Sequence, residues 1–206
     1  MDAFEAIAKR YSHKVAFDPR IPVPDSDLSK IVEAGMRAPS AGNAQTPEFI
    51  IINDQALLRK IGDLSQNVPL ATAPAMIAIL SHADMRTTSD RIHAECLIAD
   101  FAVAAQNMLL AATALGYCCG WVDGPFLKPE ISQPVCELLG IPADRLLVMI
   151  VPIGQPGVVA RDEIGEKVAE AEIGEQPGRM LGACGRVVGP AGGAAFGIGI
   201  GGFGEV

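Results

Sequence analysis

The sequence predicts one domain of interleaved strands and helices, an α/β or α+β fold, and three observations carry that reading. Runs rich in aliphatic and β-branched residues at 49–52, 74–80 and 146–153 read as buried strands. Between them lie apolar residues at helical spacing, among them Leu28, Ile31, Val32 and Gly35, then Leu57, Leu58, Ile61 and Leu64. With 206 residues, 50% hydrophobic and 19% charged, the chain is too apolar for disorder and long enough for a sizeable core. Interleaving alone leaves α/β and α+β both open. A mean hydropathy of +0.30 further predicts more apolar surface than one small globule hides, hence an oligomer with a large apolar interface.

In chain order, Phe4, Ile7, Ala8 and Tyr11 share one helical face and predict a first helix ending near Arg10. A second helix is expected from Pro24-Asp25-Ser26, which supply cap residues, to about Arg37, and Pro39 ends it. Asp54 caps a third helix, and Gln66-Asn67-Val68-Pro69 reads as a loop. The stretch from His82 to Ser89 is polar and short. A long helix follows from about Asp90 to Leu115, with Gly116 as its stop. Tyr117 to Val122 reads as a short strand and Asp123-Gly124-Pro125 as a turn. Pro134 to Leu139 reads as a short helix closed by Gly140, with the proline in its first turn. Arg161 to Glu172 reads as a last helix.

No linker precedes residue 174, so residues 1–174 are expected to form the domain and 175–206 a glycine-rich tail. Eleven of the 22 glycines lie in the last 29 residues, which marks that tail off from the rest. The run from Gly197 to Glu205 follows no strand, opens no helix and lacks a Walker lysine, so it is not a phosphate cradle. A flexible or loosely docked tail is the plain expectation, and an arm packed on a partner subunit the sharper one.

Several classes are excluded. A net charge of −8 argues against nucleic acid, whose phosphates need clustered Lys and Arg. Cys96 to Leu115 is long and apolar enough to cross a bilayer, but Asp100, Gln106, Asn107 and Thr113 interrupt it and no aromatic belt flanks both ends. A central helix of a core or interface, and no membrane, is the expectation. Five cysteines without a CxxC pair, and an N-terminus without the basic and apolar regions of a signal peptide, fit a reducing cytoplasm. His93-Ala94-Glu95 has no Pro-Cys-x-x-Cys to complete a zinc site, and no metal is expected. No Gly-x-Ser-x-Gly elbow occurs. Cys118-Cys119 reads as small core residues, with a redox pair as the alternative.

Two polar patches remain. In extended chain, Arg10, Ser12 and Lys14 would face one way and present two cations and a hydroxyl, which suits a phosphate or an anionic ring. A solvated helix end would account for the same residues. The second patch is the loop from Arg37 to Phe49, rich in Pro, Gly and small polar residues, with Ser40, Asn43 and Gln45 as its hydrogen-bonding groups. A turn with satisfied polar groups is its bland reading.

Together the patches are specific. Arg-x-Ser-x-Lys, then Ala38-Pro39-Ser40-Ala41-x-Asn43-x-Gln45-x-Pro47-x-Phe49 before a buried strand, resembles the FMN-dependent nitroreductase family. So do Ala73-Pro74-Ala75 opening a strand, Asp100 with Ala104-Ala105-Gln106-Asn107 in an alanine-rich helix, and Gly116-Tyr117-Cys118-Cys119-Gly120-Trp121. The resemblance spans residues 4 to 165. It implies an α+β, three-layer fold with a central, mostly antiparallel sheet, and a homodimer that buries the long helix and holds two FMN molecules at its interface.

Carried over residue by residue, the resemblance puts Arg10 and Ser12 at the phosphate and ribityl end of FMN, and Lys14 near the pyrimidine edge of the flavin. A cation there favours the anionic reduced ring. Asn67, or Gln66 in the adjacent register, would read that edge. Backbone groups of Gly120, Trp121 and Val122 would approach N5 and O4. Pro39, Ser40 and Asn43 would reach the same flavin from the other subunit, and Arg161 would add a second phosphate cation. The implied activity is hydride transfer from NADH or NADPH through FMN to a small-molecule acceptor such as a nitroaromatic or quinone. Because the flavin carries the chemistry, no protein catalytic residue is expected. A non-enzymatic flavin-binding protein, or an oxygen-dependent or dehydrogenating flavin enzyme of the same family, are the alternatives.

Overall fold

The computed structural model describes residues 1–86, 90–157 and 186–187. Its helices are α1 (Ala3–Lys9), α2 (Asp25–Met36), α3 (Gln55–Ser65), α4 (Val68–Thr72), α5 (Arg91–Ala114) and α6 (Pro129–Leu139). Its strands are β1 (Glu48–Ile52), β2 (Ala75–His82), β3 (Cys118–Cys119), β4 (Arg145–Gly154) and β5 (Arg186–Val187). The strands form one sheet in the order β3-β4-β2-β1-β5. All neighbours are antiparallel except β1 and β5, which pair in parallel through Glu48 with Arg186 and Phe49 with Val187. This settles the open alternative as α+β.

Period-two alternation sorts the strands' side chains between two cores. Phe49, Ala75, Ile77 and Ile79 face α2 and α5, where they meet Leu28, Ile31, Val32, Ala105, Met108 and Leu109. Ile50, Ile52, Met76, Ala78 and Leu80 face the other way, against Leu58, Ile61, Leu70, Val135 and Leu139 of α3, α4 and α6. The result is three layers: helices, sheet, helices. β4 gains one residue on β2 where Ile79 pairs with Met149 but Leu80 with Leu147. The extra residue, Val148, is a bulge that keeps both faces in register.

The longest helix, α5, has 24 residues and spans about 36 Å at ~1.5 Å per residue. One flank carries Ala104, Ala105, Met108, Leu109 and Ala112 into the core. Its stretch Ile92–Ala114 has the length and hydropathy of a membrane span, but 44% of it is buried inside this fold. Ile92 and Val103 lie on the open flank. α1 packs beside α5 and leaves Phe4 84% and Ile7 55% exposed. The predicted apolar face of α1 is thus real, but in the single chain it meets solvent, and Ala6 is the buried residue.

Other expectations need correction. Pro24, not an Asp or Ser, is the N-cap of α2; Asp25 and Asp27 lie in the first turn, where the helix dipole favours their charge. The expected loop after α3 contains α4, capped by Asn67, whose Oδ1 accepts from Leu70 N–H. The Tyr117–Val122 strand shrinks to β3 plus an isolated bridge of Val122 to Ile150. Pro134 is inside α6 rather than in its first turn, because the helix begins at Pro129, which suits the N1 position. The bond lost at Pro134 is offset by burying Val135 and Leu139. The Arg161–Glu172 helix and the run Gly197–Glu205 lie outside the described residues.

In α3, Leu64 turns outward while Gly62 and Ser65 turn in. The reason is contact with α4: a Cβ on Gly62 would lie 2.6 Å from Ala71 Cα. Gly62→Ala is therefore expected to destabilise the protein by about 1–3 kcal/mol, as overpacking against rigid backbone does. Urea unfolding would show it; an unchanged midpoint would mean that α3 and α4 are not packed this closely.

Candidate functional site

After α1 the chain runs extended beside β3. Ser12 forms a parallel bridge with Cys119, and His13 N–H donates to Cys119 O at 2.9 Å. Alternation turns His13 into the core, 1% exposed, and leaves Ser12 and Lys14 exposed together. Of the three residues expected on one face, Ser12 and Lys14 share it and Arg10 does not reach the cavity. A cavity of about 600 Å³ opens there. Ser12, His13 and Lys14 form one wall, Asn67 and Pro69 a second, and residues from Trp121 to Pro125 a third.

The walls have local causes. Asn67 uses Oδ1 to cap α4, which leaves its N–H donors for the cavity. Gln66, the alternative register, is exposed in the left-handed region at φ 49° and lines nothing here. Val122 exchanges backbone bonds with Ile150 at 3.2 and 2.9 Å, which fixes the third wall to β4. Gly120 sits behind the lining, where a Cβ would lie 3.0 Å from His13 O and 3.4 Å from Pro152 Cγ. Its missing side chain lets the Ser12–Lys14 strand approach β3.

The other predicted residues stand apart. Arg10 is the partly buried C-cap of α1 and does not line the cavity. Pro39, Ser40 and Asn43 belong to the turn between α2 and β1, also outside the lining. Pro39 and Asn43 are exposed and Ser40 is partly so. Arg161 lies outside the described residues. The lining also includes His13, Pro69, Asp123, Gly124 and Pro125, which sequence reasoning had not placed in a site. The sequence signal for Asp123-Gly124-Pro125 is a turn that directly follows Gly120-Trp121-Val122.

Lys14 and Asp123 put opposite charges on the lining. Among the described residues Lys14 forms no ion pair, so its charge is available to a ligand. Behind the wall, His13 Nε2 lies 3.2 Å from Ala16 O and Nδ1 3.3 Å from Tyr11 Oη. A neutral ring with its proton on Nε2 satisfies both, and the ring packs against Phe17. Tyr11 Oη is also 2.9 Å from Cys118 Sγ. Burial, then the Cys118 contact, raises the Tyr11 hydroxyl above its ordinary range. Burial pushes the Cys119 thiol up to about 12, so this thiol is no nucleophile at neutral pH.

Burial lowers the His13 pKa from its ordinary value of 6.5. The unfolded chain therefore takes up a proton first as pH falls. Stability from the neutral ring is present above pH 6.5 and is lost as pH falls below it towards the folded-state value. One proton bounds the slope at about 1.4 kcal/mol per pH unit. His13→Gln retains a donor and an acceptor and should flatten the loss of stability between about pH 7 and 5. Identical urea midpoints for variant and parent across that range would refute it.

The arrangement offers a cation, amide donors, a hydroxyl and an indole around one cavity. Both nitrogens of its one imidazole are engaged by Ala16 and Tyr11, so the lining suits holding an anionic or polar aromatic group better than attacking one.

The chain is similar to known proteins in sequence and in fold. The sequence matches the nitroreductase family model over residues 7–76 and 62–155. An Archaeoglobus fulgidus protein named "Putative NADH dehydrogenase/NAD(P)H nitroreductase" is 34% identical over 158 residues, covering 75% of this chain and 86% of its own. A nitroreductase family protein from Clostridium novyi has a similar fold, with TM-score 0.62 at 21% identity, covering 95% of this chain and 97% of that one. The NADPH:FMN oxidoreductase of Vibrio harveyi, solved with NAD+, superposes with TM-score 0.58 at 22% identity over 75% of this chain and 68% of that one.

Proposed function

This chain belongs to the nitroreductase family, and on that premise we propose that it moves a hydride from NADH or NADPH, through FMN N5, to a small acceptor such as a nitroaromatic or quinone. At family level this is an FMN-dependent NAD(P)H oxidoreductase. The supporting observation is convergence: Lys14, Asn67 and Trp121, from three distant segments, wall one cavity.

The residues fit FMN. Lys14 brings an available cation, Asn67 free amide donors, and Trp121 an aromatic surface. FMN, when bound, supplies the two-electron hydride relay that these side chains lack. Lys14 would hold positive charge where reduction leaves negative charge, and Asn67 would orient the pyrimidine edge. The Trp121 backbone would flank N5 and O4, held in place by Gly120 and Val122, whose N–H groups are bonded to Pro152 and Ile150. Ser12 would serve the ribityl and phosphate end with Arg10 and Arg161.

The reading includes a homodimer in which Pro39, Ser40 and Asn43 reach the partner's FMN. Their place outside the cavity and the exposed Phe4 and Ile7 support it. Residues 1–174 would be the flavin-binding domain and 175–206 an appended tail. Cys96, Cys118, Cys119 and Cys136 form no disulfide among the described residues, which supports work in the cytoplasm. The net charge of −8 supports small-molecule partners and not nucleic acid, and the burial of much of α5 supports a place away from membranes.

The test is the visible spectrum of the purified protein, identification of the released cofactor, and turnover with each nicotinamide and several acceptors. A flavin spectrum, FMN on release and nicotinamide oxidation are expected. Protein that cannot take up FMN would sink the reading. Tight FMN binding without nicotinamide oxidation would leave a flavin-binding protein that is not an enzyme.

A further inference from the structure

Asp100 is the one charged residue between Cys96 and Leu115, and it is 3% exposed. Its carboxylate leaves α5 and grips the 40–46 turn at both ends. Oδ1 accepts from Ala41 N–H at 2.7 Å, and Oδ2 accepts from the Thr46 hydroxyl at 3.0 Å. The turn between these points is unusual. Gly42, Asn43 and Gln45 all lie in the left-handed region, at φ 57°, 58° and 50°. Non-glycine residues persist there only where surroundings impose the conformation.

The turn's internal bonds determine what it presents. Gln45 N–H donates to Ser40 Oγ at 3.0 Å, and Gln45 Nε2 donates to Asn43 Oδ1 at 3.3 Å. Acceptor positions on Ser40 and Asn43 are thereby engaged from within. The Ser40 O–H and the Asn43 N–H groups are left as donors, suited to the oxygens and ring nitrogens of an acceptor-rich ligand.

We infer that Asp100 is a positioning residue of the cofactor site: it holds the 40–46 turn in the conformation that aims the Ser40 and Asn43 donors at FMN, without itself touching the cofactor. The inference rests on the FMN reading above. It also ties the turn to α5, the helix whose open flank carries Ile92 and Val103. An amide at position 100 would lose one of the two acceptors and both halves of the charge-assisted grip.

The experiment measures FMN dissociation constants for wild type, Asp100→Asn, Thr46→Val and Thr46→Ser, with thermal midpoints of the apo proteins and visible circular dichroism of the flavin at saturation. Asp100→Asn is expected to weaken FMN binding by about tenfold or more and to change the flavin dichroism, because the turn's donors leave their seats. Thr46→Val should weaken binding about threefold or more, and Thr46→Ser, which keeps the hydroxyl, should restore it. Wild-type affinity and dichroism in Asp100→Asn would overturn the inference. So would equal losses in Thr46→Val and Thr46→Ser. If Asp100→Asn does not fold, the Thr46 pair decides by the same criteria. Wild-type protein that takes up no FMN overturns the functional reading and this inference with it. Wild-type protein that binds FMN alongside an equally tight Asp100→Asn overturns this inference alone.

Discussion

Replacing Lys14 with methionine is expected to slow reduction of bound FMN by NADH or NADPH by about a hundredfold, the scale seen when one preorganised charge-stabilising donor is removed. The substitution keeps the length and most of the apolar stem of the side chain, so the wall at Ser12–Lys14 should stand. Lys14 has no competing ion pair among the described residues, and that makes its charge usable by a ligand. Reduced flavin carries negative charge that a nearby cation stabilises, so the flavin's reduction potential should also fall. Rapid-mixing kinetics and a redox titration measure the two effects separately. A reduction rate within about threefold of wild type, with the potential unmoved, would show that Lys14 is not beside the developing charge.

Placing glutamates at Phe4 and Ile7 together is expected to split the proposed dimer and release FMN in one event. Both side chains stand out from α1 into solvent in the single chain, 84% and 55% exposed. Glutamate is a good helix former, and position 4 is in the first turn, so α1 itself should survive. Buried between two copies, however, four unpaired carboxylates would cost more than the interface returns. Sedimentation should then report a monomer. FMN affinity should fall by about a hundredfold, because Ser40 and Asn43 of a second copy are no longer supplied. A dimer that persists would move the interface elsewhere. A monomer that retains FMN would mean that one chain completes the site, and the role given to the 40–46 turn would fail.

The parts of the fold legible in the sequence are those encoded by local period. Leu28, Ile31, Val32 and Gly35 were expected on one face of α2 and all four are buried. The strands at β1, β2 and β4 are visible as aliphatic runs, since their central stretches are buried on both faces and are apolar there. Asp54 and Gly140 announced helix ends through capping chemistry. In the candidate site, the alternation of Ser12, His13 and Lys14 follows from extended backbone alone. The family resemblance added the order of the motifs, which no single period contains.

What the chain by itself determined, then, is which residues are apolar, how they repeat, and where turns interrupt them. Tertiary structure decided the rest. It set β2 antiparallel between β1 and β4 and admitted a bulge at Val148. It brought Asn67 and Asp123 to the wall begun by Ser12 and Lys14. It turned Asp100, an interruption in an apolar helix, into the clamp of a turn 54 to 59 residues away. It also left Phe4 and Ile7 facing outward, although their spacing alone suggested a buried face. The physical reason is range. A period records only that a side chain will be buried or bonded, while its partner is chosen by packing between segments distant in the chain, and no local pattern carries that choice.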